Sequence, residues 1–226
     1  MSYKTDSISE IGLQFFGKIS SSNFHEIKNV LAIINETAGL LEDFSLMAEQ
    51  GVPVGPERMK DLSSKIMKQV RRADGIVRSI NRFSHSVDKP TDQVDIAEFL
   101  TFMIGLSERF AAMQGVTLKA QPSDIPLLIT TAPFLLENLV WLCLDFAMKV
   151  AGAGKTVGLA AEKAENNGVR IRFTNLDGLT ESLISTFPKE REKALPDALQ
   201  AEITTDIGAK EMILRLPGDI TVNSNQ

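Results

Sequence analysis

The chain has 226 residues, 43% of them hydrophobic, with 24 Lys and Arg against 29 Asp and Glu and a formal net charge of −5. This describes a globular chain with room for one large or two small domains, and its acidic balance argues against a general binder of nucleic acid or of anionic membrane. The lone Cys143 excludes an internal disulfide framework and any multi-cysteine metal site. No apolar run approaches the ~20 residues of a membrane span. The opening MSYKTDSISEIG lacks the apolar core of a signal peptide, so a cytoplasmic protein is expected.

The first predicted element is a helix, for which Ser7 and Glu10 in SISE form a capping box. From Phe24 onward its apolar residues are Phe24, Ile27, Leu31, Ile34, Ala38 and Leu41, at spacings of 3, 4, 3, 4 and 3. That is the seam of a helix in a left-handed bundle. Gly51, Pro53, Gly55 and Pro56 mark a loop, with Pro56 suited to the first turn of a second helix. This helix repeats the pattern at Met59, Leu62, Ile66, Val70, Ala73, Val77, Ile80 and Phe83. Lys60, Asp61, Lys65, Lys68, Arg71, Arg72, Asp74 and Arg78 fall on its other faces. Residues 7–84 are therefore predicted to form an antiparallel hairpin of two helices with one apolar stripe each. One hairpin cannot enclose both stripes. The economical completion is a four-helix bundle made by homodimerisation, and the competing one is packing on the chain's own C-terminal half.

SHSVDKPTDQ (84–93) reads as a polar linker. Asp95 then caps a helix, IAEFLTFMIGLSERFAAMQ, followed by strand candidates GVTLKAQ and IPLLIT. The long apolar helix APFLLENLVWLCLDFAMKVAG carries Trp141 and Cys143, both expected in the core. Strands KTVGLAAEKA and GVRIRFTNL are joined by Asn166, Asn167 and Gly168. A polar helical stretch at about 187–200 and a hairpin turning at Ile207-Gly208 complete the chain. The predicted fold class is α+β, divided into a helical hairpin domain (1–86) and an α/β domain (87–226).

His25 is one of only two histidines, the other being His85 in the linker. With Phe24 and Ile27 on the seam, His25 occupies an outward position, and Asn29 lies one turn away on the same face. Most exposed helical histidines are merely solvated. Neutral imidazole is nevertheless a competent nucleophile near neutral pH, and a carboxylate such as Glu26 can hold the second ring nitrogen.

FHEIKNVLAII resembles the phosphoacceptor box of two-component sensor histidine kinases, commonly S-H-E-[IL]-[KR]-[NT]-P-L. His25, Glu26, Ile27, Lys28, Asn29 and Leu31 match, while Phe24 replaces Ser and Val30 replaces Pro. The resemblance implies that His25 carries a phosphoryl group on a ring nitrogen. It makes Glu26 the acid/base or orienting partner, and Asn29 the polar residue used in transfer and dephosphorylation. The acceptor it implies is an aspartate of a response-regulator receiver domain, with a hybrid histidine kinase as a further candidate partner. Mg²⁺ belongs to that partner, and this chain is expected to bind no cofactor. Phe24, Lys28, Ala32 and Glu36, with the basic face of the second helix around Lys60, Lys65 and Lys68, are the candidate docking surface.

The order of elements after the linker resembles the ATP-binding α/β sandwich of the same kinases, but with degenerate boxes. In WLCLDFAMKV, Phe146 stands where the family has its Mg²⁺-binding Asn, with Asp145 a conceivable substitute one position away. In NLDGL, Asp177 and Gly178 remain while the second glycine is missing, and no glycine occurs between Gly178 and Gly208 to build a phosphate cradle. GAGK (152–155) hints at a P-loop, yet Lys149 stands where its first glycine belongs. An acceptor box kept and a nucleotide site lost resembles dimeric histidine phosphotransferases of the ChpT type, which relay phosphoryl groups without ATP. Three rivals fit the same residues. One is an ATP-dependent kinase with divergent boxes, and another a regulator that acts by binding alone. The third is a phospho-aspartate phosphatase using Ser22, Glu26 and Asn29.

Overall fold

The computed structural model describes residues 2–123, 125–152 and 154–221. It is a mixed α+β protein with a helical N-terminal region, and it divides into two compact units, residues 18–84 and residues 1–17 with 85–226. No helix among the described residues is long and apolar enough to cross a membrane.

Two long helices, α1 (Ser2–Glu49) and α2 (Pro56–His85), supply the first unit. Pro56 opens α2, as its fixed φ and missing N–H favour. Gly51, at φ +80°, ends α1 in the left-handed conformation open to glycine. The expected cap at Ser7 is corrected: α1 begins at Ser2, and Ser7 lies buried within it.

Within one chain the expected seam is only partly covered. Phe24 and Leu31 are 64% and 56% exposed. Ala38 is exposed too, and Ile27, Ile34 and Leu41 are only half-buried. The covered line on α1 runs one position earlier, through Asn23, Val30 and Thr37. On α2 it passes through Leu62, Ile76 and Phe83, with half-buried Gln69 between them. Both lines keep the heptad, but they include polar residues that a search for apolar spacing passes over. Asn23 and Thr37 are accommodated because Asn23 Nδ2 donates to the Ile19 carbonyl (2.8 Å) and Thr37 Oγ1 to the Ile33 carbonyl (2.7 Å). Each helix also carries large apolar residues left open within the chain: Phe24 and Leu31 on one face of α1 and Leu40 on another, and Met67, Val70 and Val77 on α2.

The second unit is a two-layer α/β sandwich. Its elements are β1 (Asp92–Asp95), α3 (Ile96–Met113), β2 (Thr117–Ala120), β3 (Leu128–Thr131), α4 (Pro133–Ala151), β4 (Thr156–Lys163) and β5 (Val169–Thr174). The short helices α5 (Glu181–Ser185) and α6 (Ala194–Ala198) precede β6 (Glu202–Asp206) and β7 (Glu211–Leu216). Asp95 caps α3 as predicted, accepting from the Ala97 N–H at 2.9 Å. The polar stretch expected as one helix at 187–200 is instead a turn and the single short α6. The predicted linker is shorter, because α2 continues to His85 and β1 starts at Asp92.

The main sheet has strand order β2-β4-β5-β7-β6. The β2–β4 pair is parallel and the rest are antiparallel, while β1 and β3 form a separate antiparallel pair. Alternation along the strands buries Val157 and Leu159, Val169, Ile171 and Phe173, and Met212, Leu214 and Leu216. Buried residues of α3 and α4, among them Leu100, Met103, Leu139 and Leu144, complete this core. Arg170, Arg172, Glu162 and Glu211 form an ion-paired lattice on the other face. Cys143 is fully buried, and burial pushes its thiol up.

The first turns of α1 belong to this unit. Phe15 packs on Trp141, with ring centroids 5.9 Å apart, and on Phe134 at 6.3 Å. Phe110 meets Trp141 edge-on at 4.7 Å. Gly12 fits against the Phe134 ring, where an added Cβ would stand 3.0 Å from a ring carbon. Nearby on α4, the buried carboxylate of Glu137 accepts a 2.7 Å hydrogen bond from Ser86.

Candidate functional site

His25 stands exposed on the middle of α1, and its ring makes no hydrogen bond among the described residues. Ser21, Phe24, His25 and Lys28 line an open depression of about 480 Å³. Four residues after His25 and hence on its face, Asn29 is exposed as well. Phe24, Lys28, Ala32 and Glu36, read as docking residues, are all exposed. The helix therefore presents the imidazole, an amide, an ammonium and an aromatic ring to solvent without enclosing them.

Glu26 is placed differently. It turns toward α2, where Arg72 Nη2 and Nε both donate to its Oε1, at 2.8 and 3.3 Å. No hydrogen bond joins Glu26 to the His25 ring, and none reaches its Oε2 among the described residues. Sequence reading placed Arg72 among the basic residues of α2 without giving it a role. Its position beside the seam residue Ala73 was the available signal, but the register of α1 against α2 was needed to connect it with Glu26. With side chains 55% and 26% exposed, such a pair contributes below about 1 kcal/mol to stability.

The Ser22, Glu26, Asn29 trio is not brought together at the surface. Ser22 is only 8% exposed, and Glu26 is occupied by Arg72. His85 is exposed at the end of α2, with Nδ1 2.7 Å from Asp88 Oδ2.

In the second unit, the positions matched to nucleotide boxes are already engaged. Phe146 stacks on Phe187, with centroids 4.0 Å apart and planes 15° from parallel. Asp145, the conceivable substitute ligand, pairs with Lys149 one turn along α4. Asp177 accepts from Lys210 at 2.8 Å and has Lys155 at 3.4 Å. Gly178 is required by packing: its N–H donates to the Val150 carbonyl at 3.0 Å, and a Cβ would come within 2.5 Å of that oxygen. The P-loop hint fails on topology. Gly152, Gly154 and Lys155 connect the end of α4 to β4, whereas a P-loop leads from a strand into a helix N-terminus. Residue 153 of that motif lies outside the described residues.

Lys210, with Lys155 beyond it, holds the Asp177 carboxyl below the usual carboxylate range, and Asp177 in turn raises the Lys210 ammonium. Because the folded value is depressed, the stabilisation from this pair is complete above the ordinary carboxylate range. It is lost as pH falls through the lowered value. An NMR titration is expected to show Asp177 protonating at lower pH than a free aspartate, and Lys210→Met is expected to move that midpoint upward.

No protein-family model matches the chain. No curated protein matches it either. Among solved structures, the catalytic domain of histidine kinase ThkA is 11% identical, with a TM-score of 0.49, covering 58% of this chain and 99% of that one. Histidine kinase AdeS of Acinetobacter baumannii is 13% identical, with a TM-score of 0.47, covering 86% of this chain and 98% of its own. A structure of ThkA in complex with the response regulator TrrA is 16% identical with a TM-score of 0.47, over 96% of this chain and 66% of that one. All three are histidine kinase structures.

Proposed function

We propose that this protein is a histidine phosphotransferase of a two-component phosphorelay. It passes phosphoryl groups between receiver-domain aspartates through a phosphohistidine at His25, without using ATP. The observation that carries the reading is the solvent-facing His25 imidazole within the matched box, with Asn29 on the same face and Glu26 adjacent. Receiver docking needs the acceptor outside the core, and the open depression at Phe24 and Lys28 suits a protein partner better than a small substrate. In the forward step, an imidazole nitrogen forms a bond to phosphorus as the P–O bond to the receiver aspartate breaks. The bonding pair leaves with the aspartate carboxylate. A Mg²⁺ ion carried by the receiver would supply neutralisation of the phosphoryl charge.

Two further features belong to the proposal. The exposed apolar residues Leu31, Met67, Val70 and Val77 support a homodimeric four-helix bundle built from the α1–α2 hairpin of residues 18–84. Phe146 and Phe187 in face-to-face contact, together with the Lys210–Asp177 pair, support an α/β domain at 87–226 that resembles the kinase ATPase fold but does not hold nucleotide. The proposal places the protein in the cytoplasm, where receivers and hybrid kinases meet.

The test has two arms. With radiolabelled ATP and Mg²⁺, the protein is expected to remain unlabelled. With a panel of receivers phosphorylated by acetyl phosphate, it is expected to take up label transiently and pass it to a second receiver. Labelling from ATP would establish the kinase alternative. Binding of a receiver without any labelled intermediate would establish a regulator that acts by association.

A further inference from the structure

We infer that Arg72 is a positioning residue for the phosphoacceptor: reaching from α2, it fixes the Glu26 carboxylate and so sets where that group stands beside His25. The inference deepens the proposed function and rests on His25 as the acceptor.

Two N–H groups of one guanidinium converge on the single oxygen Oε1 of Glu26, at 2.8 and 3.3 Å. A glutamate on a helix surface otherwise samples several staggered rotamers. Two donors on one oxygen select among them and leave Oε2 as an acceptor with no hydrogen-bond partner among the described residues. A tie this exposed adds little to stability. The helices are held by buried side chains such as Val30, Leu62 and Ile76, so a purely structural role for Arg72 predicts almost no consequence of its loss.

The chemistry gives the tie a use. When one ring nitrogen forms its bond to phosphorus and the bond to the leaving group breaks, positive charge develops on the ring. The N–H of the second ring nitrogen is then stabilised by a carboxylate acceptor. Glu26 is the adjacent carboxylate, and the Arg72 grip keeps it from swinging into solvent between turnovers.

The full-length protein can be tested with phosphoramidate as donor, following phosphohistidine formation. In this reaction the P–N bond of the donor breaks, ammonia leaves, and the ring nitrogen takes the phosphoryl group. Arg72→Gln is expected to lower the maximal rate roughly ten- to a hundredfold at an unchanged half-saturating donor concentration. Arg72→Lys, which restores charge but not the two-donor grip, is expected to recover part of the rate. Glu26→Gln combined with Arg72→Gln is expected to be no slower than Glu26→Gln alone, and the pH profiles of the two single variants are expected to coincide. Wild-type rates in Arg72→Gln, or independent, additive losses in the double variant, would overturn the inference. His25→Ala separates this from the parent reading: labelling of that variant at the wild-type rate removes the acceptor itself, whatever Arg72 does.

Discussion

Replacing His25 with alanine is expected to abolish transient labelling by phosphorylated receivers, a loss of at least about a thousandfold in transfer rate. In the proposed relay the group removed is the one to which phosphorus becomes bonded, so no neighbouring residue substitutes for it. Lys28 and Asn29 remain on the same surface, but an ammonium has no free lone pair and an amide is a poor nucleophile. The exposed His25 ring has no hydrogen bond to lose among the described residues, so the fold should be unaffected, within about 0.5 kcal/mol. Loss of transfer with an unchanged denaturation midpoint is therefore the signature of an acceptor. Transfer that survives in a folded His25→Ala protein would end the relay proposal. Asn29→Ala is a milder lesion and should slow the reaction while leaving phosphohistidine detectable.

The largest stability effect is expected at Trp141. Its side chain is 7% exposed and is enclosed by Phe15 and Phe110. Truncation to alanine removes the whole indole from a packed aromatic cluster and should cost about 3–5 kcal/mol, because rings on several elements cannot all move to fill the space. A domain's entire stability is about 5–15 kcal/mol, so this is a large share of it. Denaturant unfolding followed by circular dichroism checks the figure, since the variant has lost its only tryptophan. A cost below about 1 kcal/mol would mean that the cluster collapses freely or contributes little.

The two lesions differ in how far they were legible beforehand. The exposed face of His25 and Asn29 could be read because they lie one turn apart on one helix, where spacing alone fixes the face. His25 remained outside even though the buried line moved by one position, since neither Asn23 nor Val30 shares its face. The line covered within the chain escaped notice because Asn23 and Thr37 hold core positions on it, and apolar periodicity has no term for a polar side chain satisfied by its own helix. The strands and their turns were legible from alternation and from Asn166, Asn167 and Gly168. Arg72 on Glu26, Phe187 on Phe146 and Phe15 on Trp141 were not, because each depends on how distant segments register in space.

The packing of Phe15 and Gly12 against α4 carries a consequence for dissection of the molecule. A fragment cut at residue 87 would contain every strand of the sheet and yet leave the flank of Trp141 and Phe134 wet. Such a piece should self-associate or need detergent to stay dispersed. Supplying residues 2–17 in trans as a peptide, or splicing them to its start, should restore a monodisperse species.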